Sequence, residues 1–517
     1  MSTDVILVNG GDPHRGLIPG DTVEGYGGRV VDLLYAGLYS YDTEGRPVPS
    51  VLESLETEDN RRFRITLHRD RRFSDGSRVT AASFVDAWNF AAAPENGQAG
   101  QTFFAGLEGY EQLARGSDGA DRATELSGLR IDGEFRFTVT LTQPDPDFPS
   151  RLGLLAFRPL PRRFFEIGPE EFGRHPVGNG PYLLAGPDAW REGEWLELTA
   201  NPDYRGPDTP VNAGVRFVFH PDPDSAYDSL RAGQLDVLDI VPTSILADWR
   251  SELGDRAIVR EIALNKSLAI PYDLPHFAGE AGRLRRAAIS RAIDRVRITE
   301  ELFHGTRRAA RDFTARGLPG FDPELPGSEV LDFDPGAARA LWDRAERLER
   351  WTGTFRIAIN DNGGHDAWMH AVAEQLGECL GIKVEVISYP TFRDIRELIR
   401  NRSLGCAFRK GWRGDRPALL DFLEPIFTTG AVSNDSGYAS PLFDARIAAA
   451  RSAPDAESMR ALIGRAQSIL LHDLPVIPLW DYLNVSCVGE GVSACITWNG
   501  FPDYPRLSRD PQVRGGR

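Results

Sequence analysis

The stretch Phe63-Arg-Ile-Thr-Leu67, followed by Phe73-Ser-Asp-Gly-Ser-Arg-Val-Thr80, is the clearest indicator of the fold of this chain. Apolar and polar residues alternate in the first segment, which predicts a β-strand. A turn at Ser74-Asp-Gly76 leads to Thr80, a suitable N-cap for a helix over 81–92. The apolar residues of that helix share one face, so the segment predicts a strand, a turn and an amphipathic helix in succession.

The alternation of strands and helices continues along the chain and favours a mixed α/β fold without internal repeats. A hairpin is predicted over 131–143, around the turn Asp132-Gly133. Further strands are predicted at 215–219, 235–238, 355–359 and 383–388. Further helices are predicted near 224–232, 283–304, 335–350, 366–380, 441–452 and 456–472.

Length and composition limit the class of protein. A chain of 517 residues predicts two to four folding units, because single cores stop growing near ~250–300 residues. Hydrophobic residues make up 41% and charged residues 26%, which excludes disordered and fibrous proteins. Acidic residues outnumber basic ones by 75 to 59, and the net charge of −16 makes nucleic acid and anionic membranes poor partners. Arginine dominates the basic residues, as is common in proteins from GC-rich genomes.

The N-terminal region shows no targeting signal. No segment of the chain approaches the ~18–20 apolar residues of a membrane-spanning helix. The apolar run Val5-Ile-Leu-Val8 is too short for the core of a signal peptide and has no basic flank. Two readings stay open: the protein is cytoplasmic, or a leader has been removed.

Four cysteines are present, and none has the C-x-x-C spacing of a zinc or redox site. One reading pairs Cys487 with Cys495 across a hairpin and Cys379 with Cys406 between a helix and a strand. The other reading leaves all four as unpaired buried thiols, because cysteine is among the most frequently buried residues.

Motifs for catalysis are missing from the sequence. The Walker phosphate-binding pattern, the H-E-x-x-H zinc motif and the G-x-S-x-G nucleophile elbow are all absent. His365 and His370 are five residues apart, whereas two ligands on one helical face need a spacing of three or four. We therefore expect no catalytic residues, no metal and no cofactor, and expect that the protein is not an enzyme.

Several short motifs carry a family resemblance when they are taken together. Besides the opening segment, they are Gly178-Asn-Gly-Pro-Tyr182, Asn201-Pro-Asp-Tyr204, Ala232-Gly-Gln-Leu-Asp236, Arg286-Ala-Ala-Ile-Ser-Arg-Ala-Ile-Asp294 and Gly411-Trp-Arg-Gly-Asp415. In this order they resemble the extracytoplasmic solute-binding proteins of peptide-type ABC importers, the oligopeptide/dipeptide/nickel-binding family 5. The segments Leu17-Ile-Pro19 and Trp498-Asn-Gly-Phe-Pro502 are most similar to the actinobacterial oligopeptide-binding type.

The resemblance implies an α/β, two-lobed periplasmic-binding-protein-like fold of type II, in the large class with an extra subdomain. Lobe I is expected at 1–42, 176–262 and 485–517, with an inserted subdomain at 43–175. Lobe II is expected at 263–484. Two crossings between the lobes, near 262–271 and 478–488, are expected to act as the hinge.

The resemblance also implies ligand-binding residues. Asp415 would bind the α-ammonium of a peptide, Trp412 would wall a side-chain pocket, and Arg409 would face the carboxyl end. Each has a plainer alternative: a turn aspartate, a core tryptophan and an ion pair between strands.

Five further residues complete the expected site. Ile18, Pro19 and Gly20 would add backbone hydrogen bonds to an extended peptide, or would form a plain turn. Tyr482 is a weaker candidate at a lobe crossing. Arg416 departs from the tyrosine of the family pattern and places a cation near the ammonium site, which raises the chance of a ligand other than a standard peptide.

The function that the resemblance implies is the substrate-binding component of an ABC importer. Such a protein captures an oligopeptide or peptide-like solute between its lobes and delivers it to a membrane permease. It would be an extracytoplasmic monomer, anchored as a lipoprotein in its full-length form. Two alternatives remain: the same fold with a metal chelate, sugar or antibiotic-like ligand, and a hydrolase that uses carboxylates such as Asp415 and Asp421.

Overall fold

A computed structural model describes residues 4–114, 123–431 and 433–510 of the chain. Twenty strands alternate with sixteen α-helices, in agreement with the mixed α/β prediction. In chain order the strands are β1 (Val5–Gly10), β2 (Tyr39–Tyr41), β3 (Pro47–Pro49), β4 (Leu52–Glu56), β5 (Arg62–Leu67), β6 (Leu129–Gly133), β7 (Arg136–Thr140), β8 (Tyr182–Leu184), β9 (Trp190–Arg191), β10 (Trp195–Ala200), β11 (Gly214–Phe219), β12 (Val237–Leu238), β13 (Ala257–Ala269), β14 (Arg307–Ala309), β15 (Phe355–Asn360), β16 (Val384–Tyr389), β17 (Ala407–Arg413), β18 (Val476–Val488), β19 (Val492–Ser493) and β20 (Ser508–Arg509).

The helices are numbered in the same way. They are α1 (Gly25–Leu34), α2 (Ala81–Ala92), α3 (Tyr110–Ala114), α4 (Phe148–Arg151), α5 (Arg162–Ile167), α6 (Pro169–Arg174), α7 (Pro223–Arg231), α8 (Trp249–Leu253), α9 (Gly279–Arg291), α10 (Arg295–Glu301), α11 (Pro335–Leu348), α12 (Asp366–Leu380), α13 (Phe392–Arg400), α14 (Leu420–Phe427), α15 (Pro441–Arg451) and α16 (Ala456–Asp473).

One large sheet runs through both predicted lobes. Its strand order is β16-β15-β17-β13-β18-β12-β1-β11-β10-β8, with β14 added to β18 and β9 added to β10. At one end β15 is parallel to β16 and β17, and towards the other end β1 is parallel to β11 and β12. The long strands β13 and β18 lie between these parts, antiparallel to each other over 13 residues each. Strand β13 covers most of the crossing predicted near 262–271, and strand β18 covers the crossing predicted near 478–488.

A second sheet lies within the range predicted as an inserted subdomain. Strands β4, β5, β7 and β6 form it in that order, all antiparallel. Helix α2 begins after Thr80, whose backbone N–H donates to the side chain of Ser83. Phe84 and Trp88 of this helix are fully buried against the sheet residue Phe137.

The apolar residues form three buried clusters. One joins residues of the 43–175 range to strands β1, β10 and β11. The other two lie on helices and strands from residue 226 onwards, and both include residues of β13 and β18. The hinge strands are therefore part of the core. The lobe boundaries stay a prediction.

Two predictions of secondary structure need correction. The single helix predicted over 283–304 is two helices, because the chain turns after Arg291 and Asp294 caps the start of α10 with its side chain. The predicted hairpin turns two residues later than Asp132-Gly133, since Gly133 pairs with Arg136. Asp132 instead accepts a hydrogen bond from the Thr138 hydroxyl.

The structure pairs none of the four cysteines. Cys379, Cys406 and Cys487 are buried, and Cys495 is exposed. The reading with two disulfides is therefore wrong. Among the described helices, none combines the length and the apolar composition needed to cross a membrane.

Candidate ligand-binding cleft

A cavity of about 380 Å³ lies between the two predicted lobes. Arg29, Tyr41 and Phe501 contribute to its wall from one side. The segment 412–415, at the end of β17, contributes from the other side. This volume falls in the ~300–1,000 Å³ range of small-ligand sites, so we take the cavity as the candidate site.

Asp415 lies on the wall of this cavity, at the point where β17 has ended. Its side chain is open to the cavity, while the protein around the cavity removes it from bulk water. Its backbone N–H donates to Oδ2 of the buried Asp421 at 2.8 Å. Burial, and then the neighbouring Asp421 charge, raise the pKa of Asp415.

Asp421 is the better stabilised of the two carboxylates. Burial also raises the pKa of Asp421, but Arg416, with Nε 3.7 Å from the carboxylate, and the backbone N–H of Asp415 favour the charged form. The Arg416 charge also favours ionised Asp415, but less than burial and Asp421 oppose it, and among the described residues Asp415 lacks a paired counter-charge. A cation that enters the cavity would supply it.

Trp412 lines the same cavity and is half-buried. Its indole N–H lies near Asp421 and favours the charge there, although it falls short of good hydrogen-bond geometry. Arg413, which the sequence analysis did not single out, also lines the cavity. Its guanidinium donates to the backbone oxygen of Asn499 and lies over the ring of Phe501.

Arg409 does not line this cavity. It lies on the same strand as Arg413, where Nε donates to Oδ1 of Asn360 at 2.8 Å and the guanidinium stacks on Phe392. Neither contact is an ion pair. The alternative of a simple ion pair between strands therefore has no support among the described residues.

Tyr482 contacts cations at the lobe crossing. The guanidinium of Arg307 lies 3.6 Å from the centre of its ring, and the Lys266 ammonium lies 6.0 Å from it. Sequence reasoning missed Lys266 and Arg307. Both lie on strands that neighbour Tyr482 in the sheet, which only the strand register reveals.

Arg416 points away from the cavity and is buried. Its guanidinium binds Asp147 and, at 2.8 Å, the hydroxyl of Ser150, both in the 43–175 range. Asp421 lies on its other side. The charge of Arg416 is therefore compensated by carboxylates, so it does not repel an ammonium group beside Asp415.

The loop Ile18-Pro19-Gly20 is buried and is not among the residues that line the cavity. The oxygen of Ile18 accepts hydrogen bonds from within the loop, and the oxygen of Gly20 accepts from Gly100 at 2.9 Å. A Cβ on Gly20 would lie 2.8 Å from the side chain of Ala91, so packing against α2 explains this glycine. The structure thus places these three residues in a packed junction.

The two histidines considered as metal ligands lie in different environments. His365 is buried with its ring against Trp368, and the exposed His370 contacts Asp366. Within the described ranges, no group of three or more His, Cys, Asp and Glu side chains is arranged to hold a metal ion.

Two curated relatives cover most of the chain. It is 25% identical over 505 residues to the periplasmic oligopeptide-binding protein OppA of Haemophilus influenzae, which covers 93% of this chain and 88% of the relative. It is also 25% identical over 485 residues to the probable deoxycholate-binding periplasmic protein YgiS of Escherichia coli, with 91% and 86% covered.

Solved structures share the fold. The Escherichia coli murein tripeptide binding protein MppA superposes with a TM-score of 0.83 at 22% identity, over 98% of both chains. Haemophilus influenzae OppA in complex with RPPGFSPFR superposes with a TM-score of 0.81 at 23% identity, over 98% of this chain and 99% of the other. These likenesses confirm the predicted two-lobed α/β fold.

A family model matches the larger part of the chain. Residues 46–434 match the model for the bacterial extracellular solute-binding proteins, family 5. This range includes the subdomain sheet, strand β17 and the cavity residues from Trp412 to Asp415. The chain therefore belongs to the family 5 bacterial extracellular solute-binding proteins.

Proposed function

We propose that this protein captures a peptide or peptide-like solute between its two lobes and delivers it to the permease of an ABC importer. The observation that carries the proposal is the carboxylate of Asp415 in the cavity wall, which forms no ion pair with the described residues. A peptide ammonium fits this position, because a carboxylate exposed to the cavity can accept charge-assisted hydrogen bonds from it.

The opposite charge of a peptide also has a place in the site. Arg413 lines the cavity, and Arg409 lies four residues before it on the same strand. Alternate residues of a strand face the same side, so both guanidinium groups belong to one face. We assign the carboxyl end of the ligand to this face, and a side-chain pocket to Trp412.

The remaining roles are part of the same proposal. The protein would work outside the cytoplasm as a monomer, held at the membrane by a lipid anchor in its full-length form. Binding and release would be its whole activity, without catalysis. The relative OppA supports the peptide ligand by its name.

A second candidate is a non-peptide acid in the same cleft. The relative YgiS, named a probable deoxycholate-binding protein, supports this reading. A ligand of that kind would use the arginine face but would leave Asp415 without a cation. The two candidates therefore differ in whether Asp415 is needed.

Native mass spectrometry of freshly purified protein tests the proposal. We expect added mass that matches one or more short peptides, lost on denaturation. Peptides of two to six residues should also raise the melting temperature in proportion to the logarithm of their concentration above Kd. A non-peptide mass, together with no thermal shift across the peptide set, would contradict the peptide function.

A further inference from the structure

Four cations lie together near the predicted lobe crossings and form no ion pair with a carboxylate of the described residues. We call Lys266, Arg307, Arg409 and Arg413 the cationic row. No carboxylate of the described residues lies within 4.0 Å of their side-chain nitrogens. The acidic groups that act on the row are the phenol of Tyr482, which acts on all four cations, and Asp239, which acts on Arg413 and itself pairs with Arg29 at 3.1 Å.

The strand register brings these cations together. Lys266 of β13 lies opposite Gly411 of β17, midway between Arg409 and Arg413. A Cβ on Gly411 would lie only 2.7 Å from the Lys266 ammonium, so glycine leaves the room that this ammonium occupies. Arg307 joins from β14 through the ring of Tyr482, which also neighbours Lys266.

The partners of the row are all neutral. Arg409 donates to the amide oxygen of Asn360, Arg413 to a backbone oxygen, and Arg307 to the backbone oxygen of Thr306 at 2.6 Å. Nε of Arg307 is buried without a hydrogen-bond partner among the described residues. Buried or half-buried cations without a carboxylate partner repel one another and lose hydration, and an anionic ligand would reduce both costs.

Neighbouring groups respond to the same positive potential. Burial, then Lys266 and Arg409, lower the pKa of His365 to about 2. Lys266 and Arg307 are also the charges that lower the pKa of Tyr482 against the effect of burial. Asp415 cannot compensate the row, since it is required for the ammonium end in the proposed function.

One end of the cationic row, Arg413, reaches the cavity. Arg413 lines it and contacts Asn499 and Phe501 across the cleft. A zwitterionic peptide with neutral side chains brings one carboxylate to four cations. Resting on the proposed function, we propose that the preferred ligand is an acidic peptide, with at least one carboxylate beyond its α-carboxylate, bound along the cationic row.

Paired peptides test this proposal on the native protein. The probes are alanine-based di- to pentapeptides that carry either Glu or Gln at one position, titrated by calorimetry at neutral pH. We expect the best Glu peptide to bind at least about tenfold more tightly than its Gln partner, as for close charge pairs in binding sites. Equal affinities within every pair would overturn the inference and leave the peptide function intact.

A charge-removing variant links the preference to the row. Lys266→Met should reduce the advantage of Glu over Gln and, by removing an uncompensated charge, raise the melting temperature of the ligand-free protein. Lys383→Met is the matched control, because Lys383 is exposed and directly precedes β16, which β15 separates from β17. An unchanged Glu advantage in Lys266→Met would contradict the role of the row. If no peptide of either kind binds the wild type, the proposed function itself fails.

Discussion

At the scale of single residues, Asp415 has an unbalanced charge. Its neighbour Asp421 accepts a backbone hydrogen bond and lies beside Arg416, whereas Asp415 has only the cavity in front of it. In the empty protein, its carboxyl must either bind a proton or carry a charge near another anion. A ligand ammonium would remove the free-energy cost of either state. Changes at Asp415 should therefore have measurable effects on ligand binding.

Replacing Asp415 by asparagine removes the charge and keeps the size of the side chain. We expect Asp415→Asn to weaken peptide binding by about 2–4 kcal/mol, roughly 30- to 1,000-fold, because the ammonium loses its anion. Titration calorimetry measures the loss, with Asp343→Asn on the exposed face of α11 as a control. An isotherm like that of the wild type would remove Asp415 from the binding site.

Proton release is a second consequence. The raised pKa of Asp415 means that part of the ligand-free protein holds a proton there at neutral pH, while the peptide-bound form needs the charged carboxylate. Binding should therefore release protons, and affinity should rise as the pH rises above about 4. Calorimetry in buffers of different ionisation enthalpy measures the release, which Asp415→Asn should abolish. Buffer-independent enthalpies in the wild type would contradict this assignment.

Asp481 in hinge strand β18 predicts a pH effect on stability. It is 2% exposed, and burial, then Asp312, raise its pKa well above the ordinary value. Arg316, with Nε 3.6 Å away, favours the charge, while Glu261 opposes it. In the unfolded chain Asp481 ionises near pH 4, so folding loses stability as the pH rises above that value.

Asp481→Asn should remove this loss. We expect the variant to be more stable than the wild type by about 1–3 kcal/mol at pH 8, and to show little difference at pH 4. Thermal unfolding at the two pH values measures both. A variant that is less stable at pH 8, or that shows the same difference at both values, would contradict the buried-acid account.

At the scale of elements, local signals in the sequence predict helices well. The predicted bounds of α2 and α12 coincide with those observed, since caps, apolar periodicity and the following glycine or turn all lie within the segment. The helix predicted over 283–304 fails because its apolar pattern continues across the break. The second helix, α10, begins after Asp294, whose side chain caps its N-terminus.

The site was less predictable than the elements around it. Asp415 and Trp412 were expected at the site and do lie on the cavity wall, but the partner of Arg416, Asp147, lies 269 residues earlier in the sequence. The buried position of Ile18 likewise depends on contacts with distant parts of the chain. Arg413 could have been predicted from the sequence, because it lies on the same face of the strand as Arg409.

The pair Arg416–Asp147 joins elements on opposite sides of the cleft. Removing the charge in Asp147→Asn should favour the open form and so weaken ligand binding about tenfold, because only the closed fraction binds tightly. Calorimetry gives the affinity. Glu166→Gln is the control, since its pair with Arg162 is exposed and lies within one helix. Unchanged affinity in Asp147→Asn would show that this ion pair does not help closure.

At the scale of the whole molecule, strands β13 and β18 connect the two ends of one sheet. We expect these two paired strands to act as the hinge, so that one predicted lobe rotates against the other while the pairing keeps the lobes in register. The cavity lies between the predicted lobes, with Asp415 and one member of the cationic row, Arg413, in its wall. This arrangement matches the proposed ligand, which carries both kinds of charge.

A crystal structure of the protein with its bound peptide tests this account most directly. The account predicts peptide density between the lobes, with the ammonium within hydrogen-bonding distance of the Asp415 carboxylate. It also predicts carboxylates of the ligand beside Arg413 and Lys266. A ligand that binds outside this cavity, or one that lies in it without a cation at Asp415, would contradict the central claim.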